Sequence, residues 1–260
     1  MSCSVASSRI SCASAAISTA FGVAESFKEP PIFRVTWRKT YRIIRSRFPS
    51  IDLFEDIADP ADWEAILSAE SKTDPRIAES VGMIDLVPSD RRMSGDGASL
   101  VTVPFVHASP DRPSRFSDGS YGVYYAGDRI EVALFETIYH HSRFMAATAE
   151  SPGWTSDFCE LVGSLDSDLH DVSDKSAFEE MYHPDDYTIS QMLASELRDK
   201  GSNGLLYRSV RYPDGQAVAL FWPDVAGIPE QGQHFSYFWD GGAVSKVKNM
   251  TSGDMFTVLE

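Results

Sequence analysis

The order in which apolar patterns follow one another along the chain is the feature that most constrains its fold. Alternating apolar residues predict a strand at residues 33–37, and the apolar run at residues 41–44 continues it. Further strands are predicted over residues 100–106, 122–126, 158–162, 205–211 and 217–222. Turns at residues 212–215 and 240–242 predict two hairpins, the second formed by apolar residues 235–239 and 244–247.

Helical patterns interrupt these strands. The clearest predicted helix carries Ile189, Met192, Leu193 and Leu197 at helical spacing, and Gly201 lies just beyond its end. An acidic pair at residues 185–186 is suited to its start.

A second helix is predicted over residues 129–144, where Asp128 can act as the cap and Glu131 completes a capping box. Shorter helices are predicted over residues 62–67 and 77–81. Because strands and helices mix without a regular strand–helix–strand alternation, we expect an α+β fold rather than a doubly wound one. We expect a single domain with a mixed, mostly antiparallel sheet system and flanking helices.

The amino-terminal segment differs in composition from the rest of the 260 residues. Its first twenty residues contain seven serines and five alanines, and no acidic residue occurs before Glu25. Serines interrupt every apolar stretch there, which is not typical of a secretory signal. We therefore expect residues 1–28 to be a disordered tail and residues 29–260 to form the domain.

Charge and cysteine content limit the classes of function. The formal charge is −15, and such a surface repels nucleic acid and anionic lipid, so neither is expected as a partner. No apolar run approaches the ~18 residues that cross a bilayer. Cys3, Cys12 and Cys159 form no CxxC pair, which argues against a disulfide framework or a zinc site and favours the reducing cytoplasm.

Three segments carry residues suited to ligand chemistry. Arg115 lies in a turn-rich segment before a predicted buried strand, where a guanidinium can bind phosphate. Tyr124 and Tyr125 are adjacent on that strand and must face opposite ways, so one of them can contact a ligand. Glu136 lies in an apolar stretch of the following helix, where a carboxylate needs a partner or a cleft.

A purely structural interpretation of the same residues stays open at this point. An arginine can form a surface ion pair, a helical glutamate can face solvent, and both tyrosines can belong to the core. The adjacent His140 and His141 are a weak metal motif, because only one of them can face inward and no HExxH pattern occurs. The sequence also lacks the GxSxG, GxxxxGK[ST] and GxGxxG motifs.

Together these segments resemble the RES domain family, which is named for an arginine, a glutamate and a serine. Arg115, Tyr125 ten residues later and Glu136 eleven residues after that match the family's spacing. His140 matches a histidine often found four residues after the glutamate, and residues 204–211 are similar to the segment that supplies the serine, here Ser209. Upstream, the sequence at residues 41–43 resembles the family's first strand and contributes Arg42. The resemblance covers about residues 37–258.

The resemblance implies a fold like that of the ADP-ribosyltransferase toxins and an enzyme that consumes NAD. NAD would be a substrate, with no separate cofactor. The resemblance also implies the toxin of a toxin–antitoxin pair, whose antitoxin carries an Xre-like helix-turn-helix. The reaction would be hydrolysis or phosphorolysis of the nicotinamide–ribose bond. Two alternatives stay open, which are ADP-ribosyl transfer to a protein and NAD binding without catalysis.

The resemblance also implies roles for single residues. Arg115 would hold the pyrophosphate, with Arg42 as a second donor and Arg211 as a further positive group. Tyr125 would stack on nicotinamide, and Glu136 would stabilise the cationic ribose and orient the nucleophile. Two more residues would complete the substrate-binding set: Ser209, bonding the amide or a ribose hydroxyl, and His140, supporting Glu136 or the nucleophile.

Overall fold

The computed structural model describes residues 28–46 and 82–258. The expected disordered tail, apart from Lys28, and the short helices predicted at 62–67 and 77–81 lie outside the described residues. No helix of the described part is long and apolar enough to cross a membrane.

The described residues form eight strands and three α-helices, together with short 3₁₀ turns. The helices are α1 (Ala98–Val106), α2 (Ile130–Ala146) and α3 (Thr188–Asp199). The strands are β1 (Ile32–Arg45), β2 (Tyr124–Gly127), β3 (Thr155–Asp171), β4 (Gly204–Arg208), β5 (Gln216–Leu220), β6 (Glu230–Trp239), β7 (Val244–Asn249) and β8 (Met255–Thr257).

All eight strands belong to one sheet, in the order β1-β2-β5-β4-β3-β6-β7-β8. The β3–β4 pair is parallel and the other pairs are antiparallel. Strand β1 also pairs with β3 along most of its length, so that β1, β2, β5, β4 and β3 form a closed circuit of neighbours. This arrangement confirms the predicted α+β fold with a mixed, mostly antiparallel sheet.

Residues 204–207 of β4 and 217–220 of β5 are all buried, because both faces of these central strands are covered. Leu206 and Val218 pack in the core cluster beneath α1, whereas Leu205 and Ala217 pack in the cluster that includes α3. Since side chains alternate between the faces of a strand, each strand supplies residues to both cores. A third core lies under α2, against residues of β3, β6 and β7.

The two helices predicted from periodicity are confirmed as α2 and α3. Gly201 has a φ of 83° just after α3, the left-handed conformation expected beyond a helix end. The capping role expected for Asp128 is wrong, since Arg129 is the N-cap residue of α2 and no side chain caps it. Asp128 instead accepts the backbone N–H of Gln216 through Oδ1, and this bond fastens the start of α2 to β5.

The strand predicted over residues 100–106 is wrong, because this segment is helix α1. Its β-branched residues favour a strand and Pro104 disfavours a helix interior, but a short apolar run is typical of a buried helix as well. Val101, Phe105 and Val106 are all almost fully buried. This apolar helix covers one face of the sheet, so tertiary packing overrides the local preference of the segment for a strand.

Gly122 allows α1 to approach the start of β2 closely. A Cβ atom at this position would lie 2.1 Å from the carbonyl oxygen of Pro104 and 2.3 Å from Cα of Phe105. We expect Gly122→Ala to lower the free energy of unfolding by about 1–3 kcal/mol, because backbone atoms must shift to relieve the overlap. The control is Gly242→Ala, whose added methyl group meets only Asp240 at 3.7 Å. Urea denaturation of both variants tests this, and equal stabilities would contradict it.

Candidate functional site

A cavity of about 350 Å³ opens where β1, β2 and α2 meet the loop at residues 113–115. Its size lies within the range typical of small-molecule sites. Among the predicted site residues, the cavity is lined by Arg42, Arg115, Tyr125, Glu136 and His140. Five residues predicted from separate parts of the sequence therefore share one cavity.

Arg42 brings a buried positive charge to the cavity from β1. Its Nη1 donates to the carbonyl oxygen of Tyr125 at 3.0 Å, and its guanidinium lies 4.6 Å from the ring centroid of Tyr124. The Nε atom is buried and has no hydrogen-bond partner in the described part of the chain. Burial lowers the pKa of the Arg42 guanidinium, which nevertheless stays charged at neutral pH.

Arg115 supplies a second guanidinium to the cavity from the loop at residues 113–115. Its Nη1 donates to the carbonyl oxygens of Met181 and His183 at 2.9 and 3.0 Å, and the guanidinium packs 4.5 Å from the ring centroid of Tyr187. An arginine has five N–H donors, and the two hydrogens of Nη1 are used here, so three donors have no partner among residues 28–46 and 82–258. The side chain is thus held in place while it keeps donors for a ligand.

The two adjacent tyrosines face opposite sides of β2, as predicted. Tyr124 is 2% exposed and belongs to the core, whereas Tyr125 lines the cavity. The Tyr125 hydroxyl lies 2.8 Å from Ser114 Oγ and accepts the backbone N–H of Phe116 at 3.1 Å. Burial raises the pKa of Tyr125 to about 12, so the phenol is neutral and its ring is fixed.

Glu136 brings a carboxylate to the same cavity from α2. Its side chain is 26% exposed, and its Oε1 accepts a hydrogen bond of 2.7 Å from Ser209 Oγ. Ser209 is fully buried, and its Oγ also accepts the backbone N–H groups of Arg211 and Tyr212. The turn after β4 therefore orients the serine, and the serine orients the carboxylate.

Ser209 lies behind Glu136 and is not among the residues that line the cavity. Its direct contact with a substrate stays a prediction, and the structure adds an indirect role through the carboxylate. Arg211 also lies outside the cavity lining. Its guanidinium is 3.4 Å from the ring centroid of Tyr139, and Nη2 donates to the carbonyl oxygen of Pro184.

The adjacent histidines have different environments, as the sequence required. His141 is 7% exposed and packs against Phe158, and burial lowers its pKa to about 4. His140 lines the cavity, with Nε2 4.0 Å from Glu136 Oε2. Desolvation lowers the pKa of His140, and the Glu136 carboxylate opposes this shift in part. The His140 ring is therefore mainly neutral at pH 7.

Several cavity residues were not found by sequence reasoning. Tyr187 and Tyr207 line the cavity, and so does Ser114, which contacts the Tyr125 hydroxyl. Tyr207 follows the apolar residues at the start of β4, and this position in the sequence could have indicated it as a site residue. Tyr187 and Ser114 belong to irregular segments without a periodic signal. In residues 28–46 and 82–258, no group of three or more histidine, cysteine or acidic residues could hold a metal ion.

The comparison with protein families agrees with this geometry. The model of the RES domain matches residues 91–240, more than half of the chain, and this range contains Arg115, Tyr125, Glu136, His140 and Ser209. The chain belongs to the RES domain family. Arg42 lies before the matched range. The boundary expected at residue 29 therefore stays a prediction.

Two individual proteins are similar to this RES domain protein. An uncharacterized protein of Sinorhizobium fredii, y4oC, is 26% identical over 208 residues, which cover 79% of this chain and 84% of that protein. The crystal structure of the M. tuberculosis MbcT–MbcA toxin–antitoxin complex contains a chain with a TM-score of 0.43 and 11% identity. That match covers 78% of this chain and 85% of the other.

The ionisation of His140 tests the geometry of this RES site without any substrate. Because the Glu136 carboxylate raises the pKa of His140, we expect Glu136→Gln to lower that pKa further below its ordinary value. A titration of the His140 ring protons by NMR measures the change, with Glu131→Gln, on the exposed side of α2, as the control. A His140 pKa that is the same in the wild type and Glu136→Gln would exclude the pairing.

Proposed function

We propose that this protein binds NAD in the cavity and cleaves the bond between nicotinamide and ribose, with water or phosphate as the acceptor. The observation that carries the proposal is one cavity with two guanidiniums and one carboxylate on its walls. Among the described residues, no carboxylate forms an ion pair with Arg42 or Arg115. In an acidic protein, two such cations favour an anionic ligand.

The pyrophosphate of NAD is the group suited to these cations. Arg115 has three N–H donors without a partner among the described residues, and the guanidinium of Arg42 brings a second positive charge to the same cavity. Phosphate oxygens that accept these donors would form charge-assisted hydrogen bonds, the stronger kind in proteins. The nicotinamide and its ribose would then fill the cavity.

Tyr125 is suited to orienting the nicotinamide ring. Its hydroxyl is held from the loop side by two hydrogen bonds, so its ring keeps one orientation in the cavity wall. Offset stacking of a planar ring on such a phenol favours one orientation of the nicotinamide. The glycosidic bond would thereby be aligned for cleavage.

Glu136 is the group proposed to stabilise the transition state. As the bond between the ribose C1′ and the nicotinamide nitrogen breaks, its electron pair neutralises the pyridinium. Nicotinamide leaves as a neutral molecule, so no general acid is required. The ribose becomes cationic, and the nearby carboxylate stabilises that charge. Ser209 keeps the carboxylate oriented through its bond to Oε1.

His140 is positioned to act on the incoming nucleophile. Its ring is mainly neutral because desolvation lowers its pKa, and it lies beside the Glu136 carboxylate. A neutral imidazole can accept the proton that water releases when its oxygen bonds to C1′. The products of hydrolysis would be ADP-ribose, nicotinamide and one proton.

Membership of the RES family supports a biological role for this reaction. We propose that the protein is the toxin of a toxin–antitoxin pair, acts in the cytoplasm and is inhibited by an Xre-like antitoxin. Loss of cellular NAD would be the cause of growth arrest. Induced expression of the wild type would then lower NAD and stop growth, and co-expression of the antitoxin would restore both.

The carboxylate of Glu136 provides the direct test of catalysis. We expect Glu136→Gln to lower the rate of nicotinamide release by at least ~100-fold, because the amide keeps the size of the side chain but carries no charge. Release is measured by chromatography of purified protein incubated with NAD, with and without phosphate. The exposed Glu131→Gln on the same helix is the control. Full activity of Glu136→Gln would remove this residue from the mechanism.

The guanidinium of Arg115 provides a separate test of binding. We expect Arg115→Met to weaken the binding of ADP-ribose by about 10- to 100-fold, because charge-assisted hydrogen bonds to the pyrophosphate are lost. Arg112→Met removes the same charge from an exposed position of the same segment and should bind normally. Calorimetric titration measures both. Equal weakening in the two variants would indicate a general charge effect and not a site.

A further inference from the structure

The loop that carries Arg115 is bonded to helix α3. The amide nitrogen of Gln191, Nε2, donates to the carbonyl oxygen of Ser114 at 2.8 Å and to that of Ser117 at 3.2 Å. Both hydrogens of the amide are thereby used, and both bonds reach main-chain atoms on either side of Arg115. The side chain of Gln191 is only partly exposed, so water screens these bonds incompletely.

We propose that Gln191 is a positioning residue that fixes Arg115 for the pyrophosphate of the substrate. This inference rests on the proposed function, since it concerns how the same cavity binds NAD. Gln191 does not line the cavity and is assigned no contact with the substrate. Its effect passes through the backbone of residues 114–117.

Arg115 depends on such support more than Tyr125 does. Tyr125 belongs to β2 and pairs with Ala219 of β5, so the sheet fixes its backbone. Residues 114–117 belong to no strand of the sheet. Besides the turn between Ser114 and Ser117, their backbone is bonded by the hydroxyls of Tyr121 and Tyr125, both at Phe116. The carbonyl oxygens of Ser114 and Ser117 are the ones that Gln191 bonds. A loop without sheet partners needs other donors to hold its position.

The guanidinium of Arg115 is held by the segment that leads into α3. Its Nη1 bonds the carbonyl oxygens of residues 181 and 183, and its guanidinium packs on the ring of Tyr187. The backbone N–H of Gln191 donates to the carbonyl oxygen of Tyr187 at 2.8 Å, within the first turn of α3. Gln191 therefore links the backbone end of Arg115 to the element that holds its guanidinium.

The geometry specifies which ligands should respond to a change at Gln191. If the loop moves, the free donors of Arg115 no longer converge on the pyrophosphate with those of Arg42. The Tyr125 ring, which would contact nicotinamide, is anchored through the backbone of β2, and only its hydroxyl bonds Ser114 and Phe116 of the loop. Loss of the Gln191 bonds should therefore weaken ligands that carry a pyrophosphate more than it weakens nicotinamide.

The experiment compares Gln191→Met, which keeps the length of the side chain but removes both donors, with the wild type. Gln191→Glu is a second variant, because a carboxylate cannot donate to two carbonyl oxygens. The control is Gln231→Met, an exposed glutamine of β6. ADP-ribose and nicotinamide are titrated into each full-length protein by calorimetry. Thermal unfolding and the kinetics of NAD cleavage are measured in parallel.

We expect both Gln191 variants to bind ADP-ribose about tenfold more weakly and nicotinamide with a clearly smaller loss. The KM for NAD should rise by a similar factor while kcat stays within about twofold, since binding is lost equally in the ground and transition states. Tight ADP-ribose binding by both variants would overturn the inference. Equal weakening of both ligands, with a lowered melting temperature, would also overturn it, because the role would then be structural. A wild type that neither binds ADP-ribose nor cleaves NAD would instead refute the proposed function.

Discussion

The buried guanidinium of Arg42 is the group on which the arrangement of the site depends. A charge placed inside a protein requires compensation, and within the described part of the chain this comes from the Tyr125 carbonyl and the Tyr124 ring. Both partners belong to β2, so β1 and β2 must be adjacent. Because β1 also pairs with β3, the same contact closes the circuit of strands around the core.

Compensation by neutral groups has a chemical consequence. A carboxylate beside Arg42 would have satisfied the charge and occupied its donors, as in a structural ion pair. A carbonyl oxygen and an aromatic face stabilise the cation, and Nε has no partner among the residues that the structure describes. Arg115 follows the same pattern, since its described partners are two carbonyl oxygens and the Tyr187 ring. The cavity is therefore positive on two walls of an acidic protein.

Glu136 has partners of its own in the cavity. Its carboxylate bonds Ser209 and lies beside His140, both on the side formed by α2 and the turn after β4. Among the described residues it forms no ion pair with Arg42 or Arg115, so charges of both signs line one cavity. A ligand with an anionic group and a centre that becomes cationic matches this combination.

Local patterns in the sequence determined the elements and residue types of the site. The period of apolar residues predicted α2 and α3, and the alternation in β2 predicted that Tyr124 and Tyr125 would face opposite ways. The spacing of Arg115, Tyr125 and Glu136 indicated the family. These features depend only on neighbours within a few turns or along one segment, so a single sequence contains them.

Contacts between distant segments were decided only by the tertiary structure. The segment predicted as a strand at residues 100–106 is helix α1, which covers one face of the sheet. Asp128 bonds β5 and not its own helix. Ser209 donates to Glu136, seventy-three residues away in sequence, and Gln191 donates to two carbonyl oxygens of the Arg115 loop. Such bonds carry no periodic signal, because each depends on where the sheet places two unrelated segments.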